Sequence, residues 1–173
     1  MDPFKPLFRA LAALGLLALL AACDPSGKAL LDLRLAQLTP NASTEADVRK
    51  LYGEPDSVRD LPGGAKGLVY PLGPEGAVTL LVRMDGAGRY QGADNLLTPE
   101  NFSLVHPGMS GFEVRRLLGR PGTVQQLPMQ RQVVWSWRYL DQPNNRMFVV
   151  TLDPSGMVLS AATEDDPRLQ GGR

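Results

Sequence analysis

Ser110–Pro128 reads SGFEVRRLLGRPGTVQQLP, and Thr44–Pro62, sixty-six residues earlier, reads TEADVRKLYGEPDSVRDLP. Set side by side, Val48 meets Val114, Arg49 meets Arg115, Leu51 meets Leu117 and Gly53 meets Gly119. Pro55 then meets Pro121, Val58 meets Val124, and Leu61-Pro62 meets Leu127-Pro128; upstream, Leu38 falls on Leu104. Further on the offset becomes 68, where Val82, Asp85 and Gly88 match Val150, Asp153 and Gly156. A two-residue length difference inside a hairpin accounts for that change at little cost. The shared order of turn residues and apolar positions reads as two copies of one unit.

Each copy begins with a short helix. Ser110 and Glu113 form a capping box, and Met109 with Val114 stand at the positions of a hydrophobic staple. Thr44 and Asp47 offer the same start in weaker form. Val114, Leu117 and Leu118, like Val48, Leu51 and Tyr52, make one apolar stripe at helical spacing. Gly119 and Gly53 suit a left-handed cap, and the proline two residues on stops the helix. Helices this short need a partner surface.

The partner is a sheet. Gln132–Leu140 alternates, with Val133, Trp135, Trp137 and Tyr139 on one side and Val134, Ser136, Arg138 and Leu140 on the other. Asp141–Asn145 is a turn, Met147–Leu152 a second strand, Asp153-Pro154-Ser155-Gly156 another turn, and Met157–Thr163 a third strand. The first copy follows suit with Gly67–Leu72, Ala77–Met84, the turn Asp85–Gly88, and Arg89–Gly92; Pro71 weakens its first strand or puts it at an edge. The expected fold class is therefore α+β, with two tandem repeats, each a short helical segment packed on a three-stranded antiparallel sheet. Repeat one spans 38–94, a linker 95–103, repeat two 104–166, and a polar, disordered tail 167–173. Leu31, Leu35 and Leu38 lie at helical spacing in Lys28–Leu38, which reads as an extra helix or as packing along the first repeat.

The N-terminal residues read as an address. Lys5 and Arg9 precede a 13-residue small and apolar run, Ala10–Ala22, too short to span a bilayer as a helix. It ends in Leu20-Ala21-Ala22-Cys23, after which Asp24-Pro25-Ser26-Gly27 restores polarity. This resembles the lipobox of bacterial lipoproteins. The resemblance implies that residues 1–22 are a cleaved signal peptide, that the Cys23 thiol is diacylglycerated and its new amino group acylated with palmitate-like chains, and that 23–37 is a lipidated linker. At about 0.8 kcal/mol per buried methylene, several acyl chains hold a domain firmly at a membrane. Asp24 resembles the enteric signal that retains lipoproteins in the inner membrane.

The second copy as a whole, from Pro107-Gly108-Met109-Ser110 through Trp135-Ser136-Trp137-Arg138-Tyr139 to Asp153-Pro154-Ser155-Gly156, resembles the SmpA/OmlA domain. That is the BamE-like family of small lipoproteins in the outer-membrane β-barrel assembly machine. The first copy departs from the pattern, lacking the tryptophans and carrying Glu54 where Arg120 stands. The family implies short helices on a three-stranded sheet, outer-membrane placement facing the periplasm, and a non-enzymatic role contacting envelope proteins, including assembly-machine subunits. The duplication is similar instead to the β-lactamase-inhibitor-protein fold, whose paired repeats bind protein on a concave sheet surface. The chain then reads as a binding or scaffold module of envelope biogenesis, or else as an inhibitor-like module on a periplasmic enzyme.

Composition narrows the chemistry. Eighteen Lys+Arg balance eighteen Asp+Glu, which gives no electrostatic reason to expect nucleic acid. One cysteine makes no internal disulfide, and one histidine no histidine-rich metal cluster. No cofactor, metal or catalytic group is expected. His106 precedes Pro107 with no nucleophile pattern nearby, Gly63, Gly64 and Gly67 lack a following Lys-Ser/Thr, and Glu164-Asp165-Asp166 reads as a solvated tail. Trp135, Trp137 and Tyr139 are the candidate partner-binding residues: exposed, such a stripe marks a protein or membrane contact. Buried under the helix, they are core instead. The core is favoured because otherwise Arg138 would face the helix as an awkward charge.

Overall fold

A computed structural model describes residues 33–73, 76–141 and 144–169. The expected signal segment 1–22, Cys23 and Asp24 lie outside the described residues, as do residues 28–32 of the expected leading helix and 170–173 of the expected tail.

The elements run α1 (Glu45–Tyr52), β1 (Ser57–Asp60), β2 (Lys66–Pro71), β3 (Thr79–Met84) and β4 (Tyr90–Asn95). They continue with α2 (Pro99–Ser103), α3 (Gly111–Leu118), β5 (Thr123–Leu127), β6 (Gln132–Asp141), β7 (Asn144–Leu152) and β8 (Val158–Asp165). Two four-stranded antiparallel sheets result, ordered β1-β2-β3-β4 and β5-β6-β7-β8. The expectation of three-stranded sheets is thus corrected. The extra strands, β1 and β5, are edge strands that follow the Gly-x-Pro helix stops, and their residues are nearly all exposed, so they lack a buried face to announce them. Pro71 is placed differently too: it ends β2, a central strand, opposite Thr79.

The halves match in detail. Thr44 caps α1 and Ser110 caps α3, each with a complete capping box through Asp47 and Glu113. Gly53 and Gly119 close these helices at φ 78°, donating their N–H groups to Arg49 and Arg115 carbonyls. Isolated bridges tie each cap to the last hairpin, Thr44 to Arg89 and Ser110 to Met157. The third and fourth strands of each sheet carry a register shift at equivalent places, Arg83/Met84 and Thr151/Leu152.

Each half also has its own core. Val48 of α1 meets Leu68, Tyr70, Leu80, Val82 and Met84, joined by Leu38 from the preceding turn and by half-buried Leu35. Val114 and Leu118 of α3 meet Trp137, Tyr139, Phe148, Val150 and Val158. Residues 95–103, expected as a linker, start with the last residue of β4 and then form α2, giving Leu97 and Phe102 to the second core. Phe102 stacks on Phe148 with ring centroids 4.3 Å apart and meets Tyr139 edge-on at 4.7 Å.

The acidic run near the C-terminus corrects another expectation. Glu164 and Asp165 extend β8, and Asp166 is buried, accepting from the Arg138 Nε at 2.6 Å. A carboxylate enters the interior only because a guanidinium meets it there.

Candidate functional site

Trp137 and Tyr139 do not form a contact surface. They are 1% and 3% exposed, under α3, so the helix-facing side of β6 is core, as the favoured alternative expects, and the partner-binding reading of Trp137 and Tyr139 is corrected. Trp135 is half-buried at the margin of that core, edge-on to Trp137. The Arg115 guanidinium covers its ring at 4.6 Å from the centroid. His106 is exposed, with Nδ1 3.0 Å from the Pro107 carbonyl oxygen.

Two surfaces stand out among the described residues. The first is the far side of β6 and β7, where Val134, Leu140, Met147 and Val149 are half-buried beside Ser136 and Thr151. An antiparallel sheet tolerates a solvated face, and here that face keeps a substantial apolar share.

The second surface lies between the halves and was not anticipated. At its C-terminal end α3 reaches the back of the first sheet: a Cβ on Gly119 would stand 2.7 Å from Thr79 Cγ2 and 3.4 Å from Val69 Cγ1. Beyond this contact a cleft of about 660 Å³ opens, walled on one side by residues 56–60 and on the other by α3 and its cap. Phe112, Arg115, Arg116, Gly119 and Arg120 form the second wall. Phe112, Arg115 and Arg116, at i, i+3 and i+4, lie along one helical stripe offset from Val114 and Leu118 in the core, and Gly119 and Arg120 continue the wall from the cap. Arg120 Nε lies 3.3 Å from Asp56 Oδ1, and Arg59 Nη2 donates to the Arg115 carbonyl at 3.3 Å. Partial burial, and then the neighbouring charge of Arg116, holds the Arg59 guanidinium below its usual range. Among the described residues, Arg59, Arg115 and Arg116 have no ion pair.

The arginine stripe can be read from sequence once α3 is placed. What faces it cannot, because the opposite wall lies about sixty residues away and belongs to a strand with no sequence signature of its own.

Neither surface gathers a catalytic constellation. Among the described residues, no group of three His, Cys, Asp or Glu side chains is placed to hold a metal ion, and no helix is long and apolar enough to cross a membrane.

The architecture defines an α+β protein of two four-stranded antiparallel sheets with a few short helices. Comparison with solved structures finds a protein described as the osmotically inducible lipoprotein OsmE, 28% identical, with a TM-score of 0.36 over 41% of this chain and 76% of that one. A protein described as a β-lactamase inhibitor protein from Streptococcus mutans is 9% identical, with a TM-score of 0.34 over 78% of this chain and 95% of that one. YjgB from Bacillus subtilis is 19% identical, with a TM-score of 0.27 over 75% of this chain and 82% of that one. No family model matches the chain, and no curated protein does.

Proposed function

We propose that this chain is a lipid-tethered, non-enzymatic binding module of the bacterial cell envelope, built from two tandem copies of one α+β unit. Cys23 is the acylated residue, Asp24 influences which membrane receives it, and the folded part faces the periplasm. The partners are envelope proteins. The likeness to SmpA/OmlA sequences makes subunits of the β-barrel assembly machine the first candidates.

The observation that carries this reading is the division of β6 into two faces. One forms the core through Trp137 and Tyr139, and the other carries Val134 and Leu140, half-buried, beside Met147 and Val149 of β7. A rigid sheet with apolar residues on its outer face suits contact with another protein.

A photo-crosslinking residue at Val149, with one at the exposed Ala46 of α1 as control, tests it in intact cells. Adducts with envelope proteins at Val149 alone support the reading, and assembly-machine subunits among them would support the scaffold form. A single soluble periplasmic enzyme would favour an inhibitor-like module, the second reading, which rests on the likeness of the tandem duplication to the β-lactamase-inhibitor-protein fold. No adduct at Val149, or the same adducts at both positions, would overturn the reading.

A further inference from the structure

The cleft between β1 and α3 has a composition that the proposed sheet-face function does not use. Its first wall is a sheet edge: β1 pairs with β2 on one side only. Leu61 N–H donates to the Ala65 carbonyl at 2.9 Å, closing the β1–β2 hairpin. Antiparallel pairing alternates from that point, so Arg59 and Ser57 bond inward to Gly67 and Val69. The backbone N–H and C=O groups of Val58 and Asp60 therefore point out from the edge, along the wall that residues 56–60 give to the cleft. An edge of this kind is a template for another strand. The second wall is cationic, and Arg59 adds to it from the first. Four arginines line the cleft against Asp56 and Asp60, and Arg120 already shares Asp56. At the rim stands Phe112, 70% exposed, with Leu104, Met109 and Leu117 forming an apolar hollow on its far side.

We infer that this cleft binds an extended acidic segment of a partner protein, which adds as a strand to the free edge of β1. Its carboxylates meet Arg59, Arg115 and Arg116, and an apolar side chain rests against Phe112. Strand addition draws affinity from main-chain hydrogen bonds and specificity from alternate side chains. Both are available here, because α3 places its arginines beside the same edge that offers the backbone groups. Carboxylates and guanidinium groups also pair with directional, two-pronged hydrogen bonds. An anionic bilayer is a poorer match: it presents a plane, whereas these arginines line a two-walled cleft that also holds Asp56 and Asp60.

The test uses the full chain in neutral detergent micelles and a fluorescein-labelled heptapeptide of alternating valine and glutamate, read by anisotropy. Three comparisons accompany it: the same peptide with glutamine for glutamate, the same peptide N-methylated at alternate backbone nitrogens, and phosphatidylglycerol vesicles. The protein variant is Arg59→Gln with Arg116→Gln, checked for unchanged circular dichroism; Arg116→Gln alone, at an exposed position, serves if the pair fails to fold. The acidic peptide is expected to bind, and each of glutamine exchange, N-methylation and arginine loss should weaken it by about tenfold or more. Equal binding of the N-methylated peptide would overturn strand addition. Binding indifferent to the arginines, or no binding, would overturn the inference, as would arginine-dependent capture of the vesicles without the peptide. None of these outcomes bears on crosslinking at Val149, so the two surfaces stand or fall separately.

Discussion

Gly53 and Gly119 occupy equivalent positions and share φ 78°, with ψ near the extended limit. That region is essentially closed to residues with a Cβ, so alanine at either site costs about 1–3 kcal/mol in backbone strain. Their surroundings differ. Nothing lies within 4 Å of a Cβ at Gly53, whereas one at Gly119 would collide with Thr79 of the other half. Urea unfolding is therefore expected to show a larger loss for Gly119→Ala than for Gly53→Ala, the excess reporting the cost of forcing a Cβ against Thr79 where the halves meet. Equal losses would mean that the added Cβ meets no such cost. The Arg138–Asp166 pair makes a second prediction at this scale. With side chains 10% and 2% exposed, it is a buried ion pair that Arg168 supports from 3.6 Å. Asp166→Asn removes the carboxylate charge that Arg138 and Arg168 share and should lower stability by more than replacing both members of the Arg138–Asp166 pair with apolar residues does. Urea midpoints for the single and double variants check this.

The short helices depend on their starts. The Ser110 hydroxyl and then its backbone N–H hold the Glu113 carboxyl below its ordinary value of 4.5. The Thr44 backbone N–H and then its hydroxyl hold Asp47 below 3.8. A carboxylate with a lowered folded pKa stabilises fully above its unfolded value, and that contribution is lost as pH falls through the folded one. Between about pH 6 and about pH 3, the wild type should therefore lose stability more steeply than Asp47→Asn with Glu113→Gln. Parallel curves from thermal unfolding would show that the capping boxes contribute nothing to acid sensitivity.

These same helices were legible in sequence because box, apolar stripe and Gly-x-Pro stop all fall within a dozen residues. The paired strands were legible for a similar reason: Trp137 and Tyr139 alternate with Ser136 and Arg138 over a long run. The edge strands β1 and β5 carry no such signal. Ser57–Asp60 has only Arg59 half-buried, and in β5 only Leu127 is, so neither has an apolar face to impose a period of two. The β1–α3 cleft inherits that gap, because one of its walls is an unannounced strand. Asp166 reads in sequence as part of a solvated tail, because three adjacent acids look alike until tertiary structure brings Arg138 to one of them.

At the scale of the whole molecule, two units with the same strand order, caps and bulge positions are joined through Gly119 and the salt bridge between Arg120 and Asp56. Each half has its own buried cluster, and the second recruits α2 from the connection. Under the proposed function, a tether at Cys23 would raise the local concentration of this double unit near envelope proteins. Asp24→Ser tests the sorting role: a move from inner to outer membrane in a density gradient would show that Asp24 retains the chain. Unchanged fractionation would remove Asp24 from the account. The tether itself is tested most directly by the intact mass of the chain purified from membranes. A chain starting at Cys23 and carrying a diacylglyceryl group plus an amide-linked acyl chain is expected. An unacylated Cys23, or a chain that still retains residues 1–22, would contradict the account.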